Sequence, residues 1–274
     1  MAEDSAKQSL ESKVLADISK TGFPLELRMS NRFVEADYYV QDSVYYVDQD
    51  EQKGREIEII ALKNSQSTPR KDPPKWVRLR CIVECKKSSK PWVIFTSPKT
   101  TYDEVSPLGQ ATGLVDNVKW TSEMVSSITA FHPYWQMLRR GRSFHEALRG
   151  EEDRRESSVI FKAITTTVKA TLSLFDRRFI SYSGEVSLFQ PIVVLEGILF
   201  EAYLDNAERT VLEQPPWIPV SFAYRSAAYP DSRLTVLVVT EAALPTLLEQ
   251  LGAALQAWHQ LLTTQPKLVR QRPE

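Results

Sequence analysis

Residues 76–87 read WVRLRCIVECKK, and the end of this stretch decides how the fold is read. It looks like a buried strand until Glu84 and Lys86, which lie two positions apart and therefore share one face. A core strand prefers apolar groups, and a lone buried charge is costly. The pair is then either an exposed strand face with a weak ion pair, worth about 0–1 kcal/mol, or half of a catalytic site. The preceding segment REIEIIAL (55–62) also reads as a strand. Its period places Ile57, Ile59 and Ala61 on one face and Glu56, Glu58 and Ile60 on the other.

Working outward, Leu10, Val14, Leu15 and Ile18 recur at helical spacing in residues 7–20, and Gly22 follows as a C-terminal cap. Pro24 opens a second helix, PLELRMSNRFVEA, at the first-turn position that proline tolerates. YYVQDSVYYV (38–47) is rich in aromatic and β-branched residues and predicts a strand. The loop DQDEQKG turns the chain back into REIEIIAL. KPWVIFTSP (90–98) predicts a short fourth strand, with Trp92 and Phe95 read as core. Residues 100–155 predict a helical insertion with a charged surface segment; Gln110 and His132 lie within it. Residues 157–176 predict an amphipathic crossover helix leading to a strand at about 191–196. Further strands at WIPVSFAYRS and RLTVLVVT precede a closing helix over 241–262.

The expected architecture is a single α/β domain with a mixed central sheet flanked by helices. Residues 1–99 form the first part of its core, 100–155 the helical insertion, and 156–274 the crossover helix with a strand and helix extension. With 274 residues, 42% hydrophobic and 25% charged, the chain can bury a sizeable core. No apolar run reaches the roughly 18 residues that span a bilayer, so no membrane association is expected. The polar start MAEDSAKQSLESK has no apolar leader core. Cys81 and Cys85 would lie about 13 Å apart on one strand, too far for a disulfide. A cytoplasmic location is the expectation.

Charge is unevenly spread. Residues 63–99 hold ten Lys/Arg against two Asp/Glu, a net of +8, while residues 1–62 hold seven against thirteen, a net of −6. The basic segment is either a solvated loop face or a phosphate-contacting surface, with Arg70, Lys71, Lys75, Lys87 and Lys90 as its contacts.

The spacing of Glu58 and Glu84 matches one strand–loop–strand return, so pairing of the two strands brings the carboxylates to one sheet end. Held close, they repel unless a divalent cation lies between them. Mg²⁺ suits one or two carboxylates plus waters and phosphate oxygens. Lys86 would stand beside the attacking water and the phosphate, where its charge stabilises the transition state. Such a set suits phosphodiester hydrolysis.

REIEIIA followed by VECKK resembles the core of the PD-(D/E)XK nuclease superfamily, in particular its Mrr-like restriction endonuclease branch. The resemblance covers about residues 7–97 and extends to the crossover helix and its strand. It implies a restriction-endonuclease-like fold and Mg²⁺-dependent endonuclease activity, with Mn²⁺ as a substitute metal. The implied substrate is nucleic acid, DNA favoured, and a homodimer or larger assembly is compatible with it. By position, Glu58 and Glu84 would be metal ligands, the backbone carbonyl of Cys85 a third, and Lys86 the catalytic lysine. Glu26, on the preceding helix, is implied as a further ligand. The family's usual first-strand aspartate is a glutamate here, one methylene longer. The competing reading is a catalytically inactive member acting as a nucleic-acid-binding or protein-interaction module. A hydrolase or nucleotide-binding enzyme is disfavoured, because neither a G-x-S-x-G elbow nor a phosphate-binding glycine loop occurs. Catalysis requires the Glu58 and Glu84 carboxylates within about 5 Å of each other, with Lys86 adjacent.

Overall fold

In a computed structural model of the chain, the structure describes residues 2–65, 76–99, 114–115, 137–148, 150, 158–176, 185–229 and 232–264. Two helices, α1 (Ala2–Ile18) and α2 (Phe23–Glu35), precede the meander β1 (Tyr39–Asp48), β2 (Lys53–Asn64) and β3 (Trp76–Lys87). Then come β4 (Trp92–Pro98), β5 (Leu114–Val115), β6 (Arg139–Glu146) and the crossover helix α3 (Val159–Asp176). β7 (Glu185–Glu196), β8 (Leu199–Leu204), β9 (Thr210–Glu213), β10 (Trp217–Tyr224) and β11 (Ser232–Thr240) follow. A 3₁₀ turn (Glu241–Ala243) then leads into the closing helix α4 (Leu244–Thr264).

The strands form one mixed sheet in the order β1-β2-β3-β7-β11-β10-β6-β4-β8-β9, with β5 pairing β7 off that path. β1, β2 and β3 are antiparallel neighbours, as expected from the sequence. β7 is parallel to β3, which requires a crossover, and α3 supplies it. The first half of α3 is amphipathic, with Phe161 and Lys162 exposed, whereas residues 167–174 are buried all round; Ser158 caps the helix by accepting the Phe161 N–H at 3.1 Å. Its buried Thr167 and Thr171 hydroxyls donate to carbonyls four residues back, each at 2.8 Å, so they enter the core satisfied.

Two layers cover the sheet. On one face, Leu25, Met29 and Phe33 of α2 and the apolar side of α4 pack on Ile59, Ala61, Cys81, Val83, Cys85, Ile192 and Val194. On the other, Ala170 and Leu174 of α3 pack on Tyr46, Ile57, Ile60, Ile82 and Phe189. Ile57 therefore does not share a face with Ile59 and Ala61, as strict alternation predicts. The β1–β2 pairing is interrupted at this point: it passes from Asp42↔Ile59 to Val44↔Ile57 in unchanged register and leaves out Ser43 and Glu58. Ser43 has a φ of 53°, in the left-handed region.

Three further expectations are corrected. Residues 139–146, read as part of a helical insertion, form β6, a strand within the sheet. Its buried positions include Arg140 and Glu146, so charge patterning hid a strand whose polar side chains point inward. Apart from Leu114–Val115, residues 100–136, with Gln110 and His132, lie outside the described residues. β4 does not extend the first meander; it pairs with β6 and β8 on the far side of the sheet. Trp92 is fully buried there, but Phe95 is exposed rather than core. Among the described residues, no helix is long and apolar enough to cross a membrane.

Gly141 shows how tightly β6 is seated. A β-carbon there would stand 2.7 Å from Ile94 Cγ2 and 3.0 Å from Val220 Cγ2, with the Val220 backbone 3.3 Å away. Gly141→Ala is expected to destabilise the protein by about 1–3 kcal/mol through overpacking. Urea denaturation reads this as a lower midpoint; an unchanged midpoint would show that β6 is not clamped between β4 and β10.

Candidate catalytic site

β2 and β3 pair from Asn64↔Arg78 to Ile59↔Val83 and no further. β3 continues, still paired to β7 as far as Lys87↔Glu196. One edge of β3 is therefore open from Glu84 onward, at the point where Glu58 stands across from it. A strand residue presents its N–H and C=O to the same neighbour. At Cys85 that neighbour is missing, and the Glu58 side chain takes its place: Oε2 accepts the Cys85 N–H. The Cys85 carbonyl faces the same gap.

The other Glu58 oxygen, Oε1, accepts from Lys86 Nζ at 3.1 Å. Lys86 Nζ also meets Glu84 Oε1 at 2.6 Å. Both carboxylates thus touch one ammonium, and their bonded oxygens can be no farther apart than those two contacts allow. The three residues singled out from the sequence do meet, on β2 and β3, at one sheet end. The Glu84 side chain is 8% exposed and that of Lys86 25% exposed, so the pair is largely withdrawn from water.

Glu26 joins them from the first turn of α2, within electrostatic reach of Glu58 and Lys86. Arg28, two residues on, fixes α2 over this end: its guanidinium bonds Glu196 at the end of β7 and Glu241 beyond β11, each at 2.7 Å.

Three carboxylates and one ammonium leave this site with excess negative charge. Burial, followed by repulsion from Glu58, raises the Glu26 carboxyl above its usual range. Burial also pushes Glu84 up to about 7; Lys86 opposes that shift, while Glu58 and Glu26 add to it. For Lys86, burial pulls downward, but Glu84 and then Glu58 outweigh it, so it stays an ammonium. The Cys85 thiol is driven up by burial and then by Glu58, which keeps it an inert thiol.

Among the described residues, no group of three His, Cys, Asp or Glu side chains stands at metal-ligand spacing. In this arrangement the cation between Glu58 and Glu84 is the ammonium of Lys86. The donors themselves, carboxylate oxygens and a peptide carbonyl, are hard oxygens of the kind that Mg²⁺ and Mn²⁺ take. In donor chemistry the residues fit such an ion.

The expected nucleic-acid contacts fare unevenly. Lys87 is exposed but engaged, with Nζ 3.3 Å from Glu196 and donating to the Ser19 carbonyl at 3.2 Å. Lys90 is half-buried just past β3. Arg70, Lys71 and Lys75 lie outside the described residues. The sequence reading also missed a charged cluster beside the site. Asp48, fully buried, binds Lys169 of α3 at 2.9 Å and Arg55 of β2 at 3.1 Å. A lysine amid the apolar run of α3 and an aspartate ending an aromatic strand were the available signals.

A carboxyl held above its unfolded value binds more protons folded than unfolded. The Glu84 contribution therefore favours the fold at low pH and is lost as pH rises from 4.5 to about 7. Glu84→Gln is expected to remove that loss, so in EDTA the variant gains stability over wild type at pH 8 but not at pH 4. Denaturation midpoints at the two pH values measure it. An equal difference at both would mean that Glu84 is not a strained carboxylate.

Set against protein-family models, curated proteins and solved structures, the chain matches none.

Proposed function

We propose that this chain is a Mg²⁺-dependent nuclease with a restriction-endonuclease-like core, hydrolysing phosphodiester bonds of nucleic acid, DNA favoured. The observation that carries the reading is the meeting of Glu58, Glu84 and Lys86 at the open edge of β3. The order α2, β1–β2–β3 meander, crossover α3 and parallel β7 supports it, because that order is what the resemblance implies.

Glu58, Glu84 and the Cys85 carbonyl would hold the ion, with Glu26 completing the acidic wall. When bound, the ion supplies neutralisation of phosphate charge and a water of lowered pKa. The other roles belong to the chain. Lys86, kept charged by its neighbours, offers a positive group to phosphate oxygens as negative charge develops. Burial of Glu84 keeps bulk water from screening that charge. Glu58 also fixes the β3 backbone through Cys85, so the longer glutamate serves as a strut as well as a ligand.

One observation favours the second reading, a nuclease fold without catalysis: Lys86 fills the space between the carboxylates, neutralising them internally. The two readings part on metal dependence.

Wild-type protein is expected to nick plasmid or cut oligonucleotides with Mg²⁺ or Mn²⁺ and not with EDTA. Lys86→Ala is expected to lower kcat by about 10²–10³-fold, the scale for losing one transition-state charge donor. Metal-dependent cutting that survives the substitution contradicts the assignment of Lys86. Absence of cutting by folded wild type under every metal supports the non-catalytic reading.

A further inference from the structure

Between the turn end of the β1–β2 hairpin and the first half of α3 lies a cavity of about 310 Å³. Tyr46, Arg55, Phe161, Lys162, Thr165 and Lys169 line it. Its size is at the small end of ligand pockets, enough for one nucleotide and too small for a duplex. Arg55 lies three residues before Glu58 on β2, about 10 Å along the strand. Tyr46 is the direct pairing partner of Arg55. The cavity therefore opens beside the proposed catalytic end, on the hairpin that carries Glu58.

The Tyr46 and Thr165 hydroxyls are buried and have no partner among the described residues. Tyr46 is 1% exposed, so its hydroxyl is a built-in polar site rather than a surface group. Buried hydroxyls are almost always paired, and an orphaned pair in one cavity points to a ligand that supplies the partners.

Charge and shape indicate which ligand. Asp48 and Glu51 also line the cavity, but both are spent on its cations. Lys169 pairs with Asp48 at 2.9 Å, and Arg55 pairs with Asp48 at 3.1 Å and Glu51 at 2.5 Å. Lys162 has no ion pair among the described residues, which leaves one cation for an anionic group. Phe161 is 44% exposed, yet its ring is held by Phe222 at 6.1 Å and Phe144 at 6.5 Å between centroids. A fixed ring with an open face is a stacking platform for a base.

We propose that this cavity receives one unpaired nucleotide next to the scissile phosphate, its base on Phe161, its polar edges on Tyr46 and Thr165, and its phosphate on Lys162. The assignment rests on the nuclease reading and adds a substrate class: single-stranded nucleic acid, or a duplex with an unpaired end. In a paired duplex the base is stacked inside the helix and cannot enter.

Fluorescence anisotropy with labelled single-stranded and blunt duplex oligonucleotides, in Ca²⁺ to hold off cutting, tests this. Wild type is expected to bind the single strand at least tenfold tighter than the duplex. Phe161→Ala and Lys162→Ala should each weaken single-strand binding about tenfold, within the range for one stacked base, and Phe161→Trp should restore it. In cleavage assays the two alanine variants should raise KM more than they lower kcat. Equal binding of both substrates by wild type, or alanine variants that bind the single strand like wild type, overturns the proposal. If cutting is lost in Lys86→Ala while Phe161→Ala binds normally, the nuclease reading stands and the cavity assignment falls. If Phe161→Ala loses single-strand preference but wild type never cuts, the cavity assignment stands and catalysis falls.

Discussion

Three carboxylates share one ammonium at the open edge of β3, and the rest of the site follows from that imbalance. Glu26, Glu58 and Glu84 approach from α2, β2 and β3, and among the described residues Lys86 is the cation that offsets their charge. In water the repulsion would be screened, but Glu84 is buried, and burial pushes its carboxyl up to about 7. A divalent cation would relieve this repulsion more fully than a lysine can. The excess of acid over base is thus the physical ground for the proposed metal dependence.

The arrangement depends on where β2 stops pairing. Had β2 run alongside β3 to Lys87, the Cys85 amide would be bonded to backbone and Glu58 would be one more strand residue. Instead pairing ends at Ile59↔Val83, and β7 alone carries the end of β3. The left-handed backbone at Ser43 lies opposite Glu58, where the β1–β2 pairing omits one pair without a change of register. Arg28 then closes α2 down through Glu196 and Glu241, bringing Glu26 into range.

Glu58, Glu84 and Lys86 were legible in the sequence because strand side chains repeat every two residues and the hairpin return sets their separation. α3 was legible from its helical period, and the β3–α3–β7 crossover from the order of elements. The rest depends on contacts far apart in sequence. β6 was hidden because its buried positions include Arg140, Gly141 and Glu146, an inside-out pattern for a strand. The side of the sheet that β4 joins cannot be read locally, since its partners in β6 and β8 lie 41 or more residues on. The face of Ile57 was misread because strict alternation fails between Ile57 and Ile59, where the β1–β2 pairing is interrupted. The cavity of Tyr46, Phe161 and Lys169 exists only once α3 crosses the hairpin, so no single segment announces it.

The central claim is that a divalent cation belongs between Glu58 and Glu84. An anomalous difference map from a crystal grown with Mn²⁺ tests it most directly. The account predicts one peak bonded to both carboxylates and the Cys85 carbonyl, with Lys86 Nζ withdrawn from its present bridge. Lys86 still seated between the two glutamates at saturating Mn²⁺, with no peak there, would contradict it.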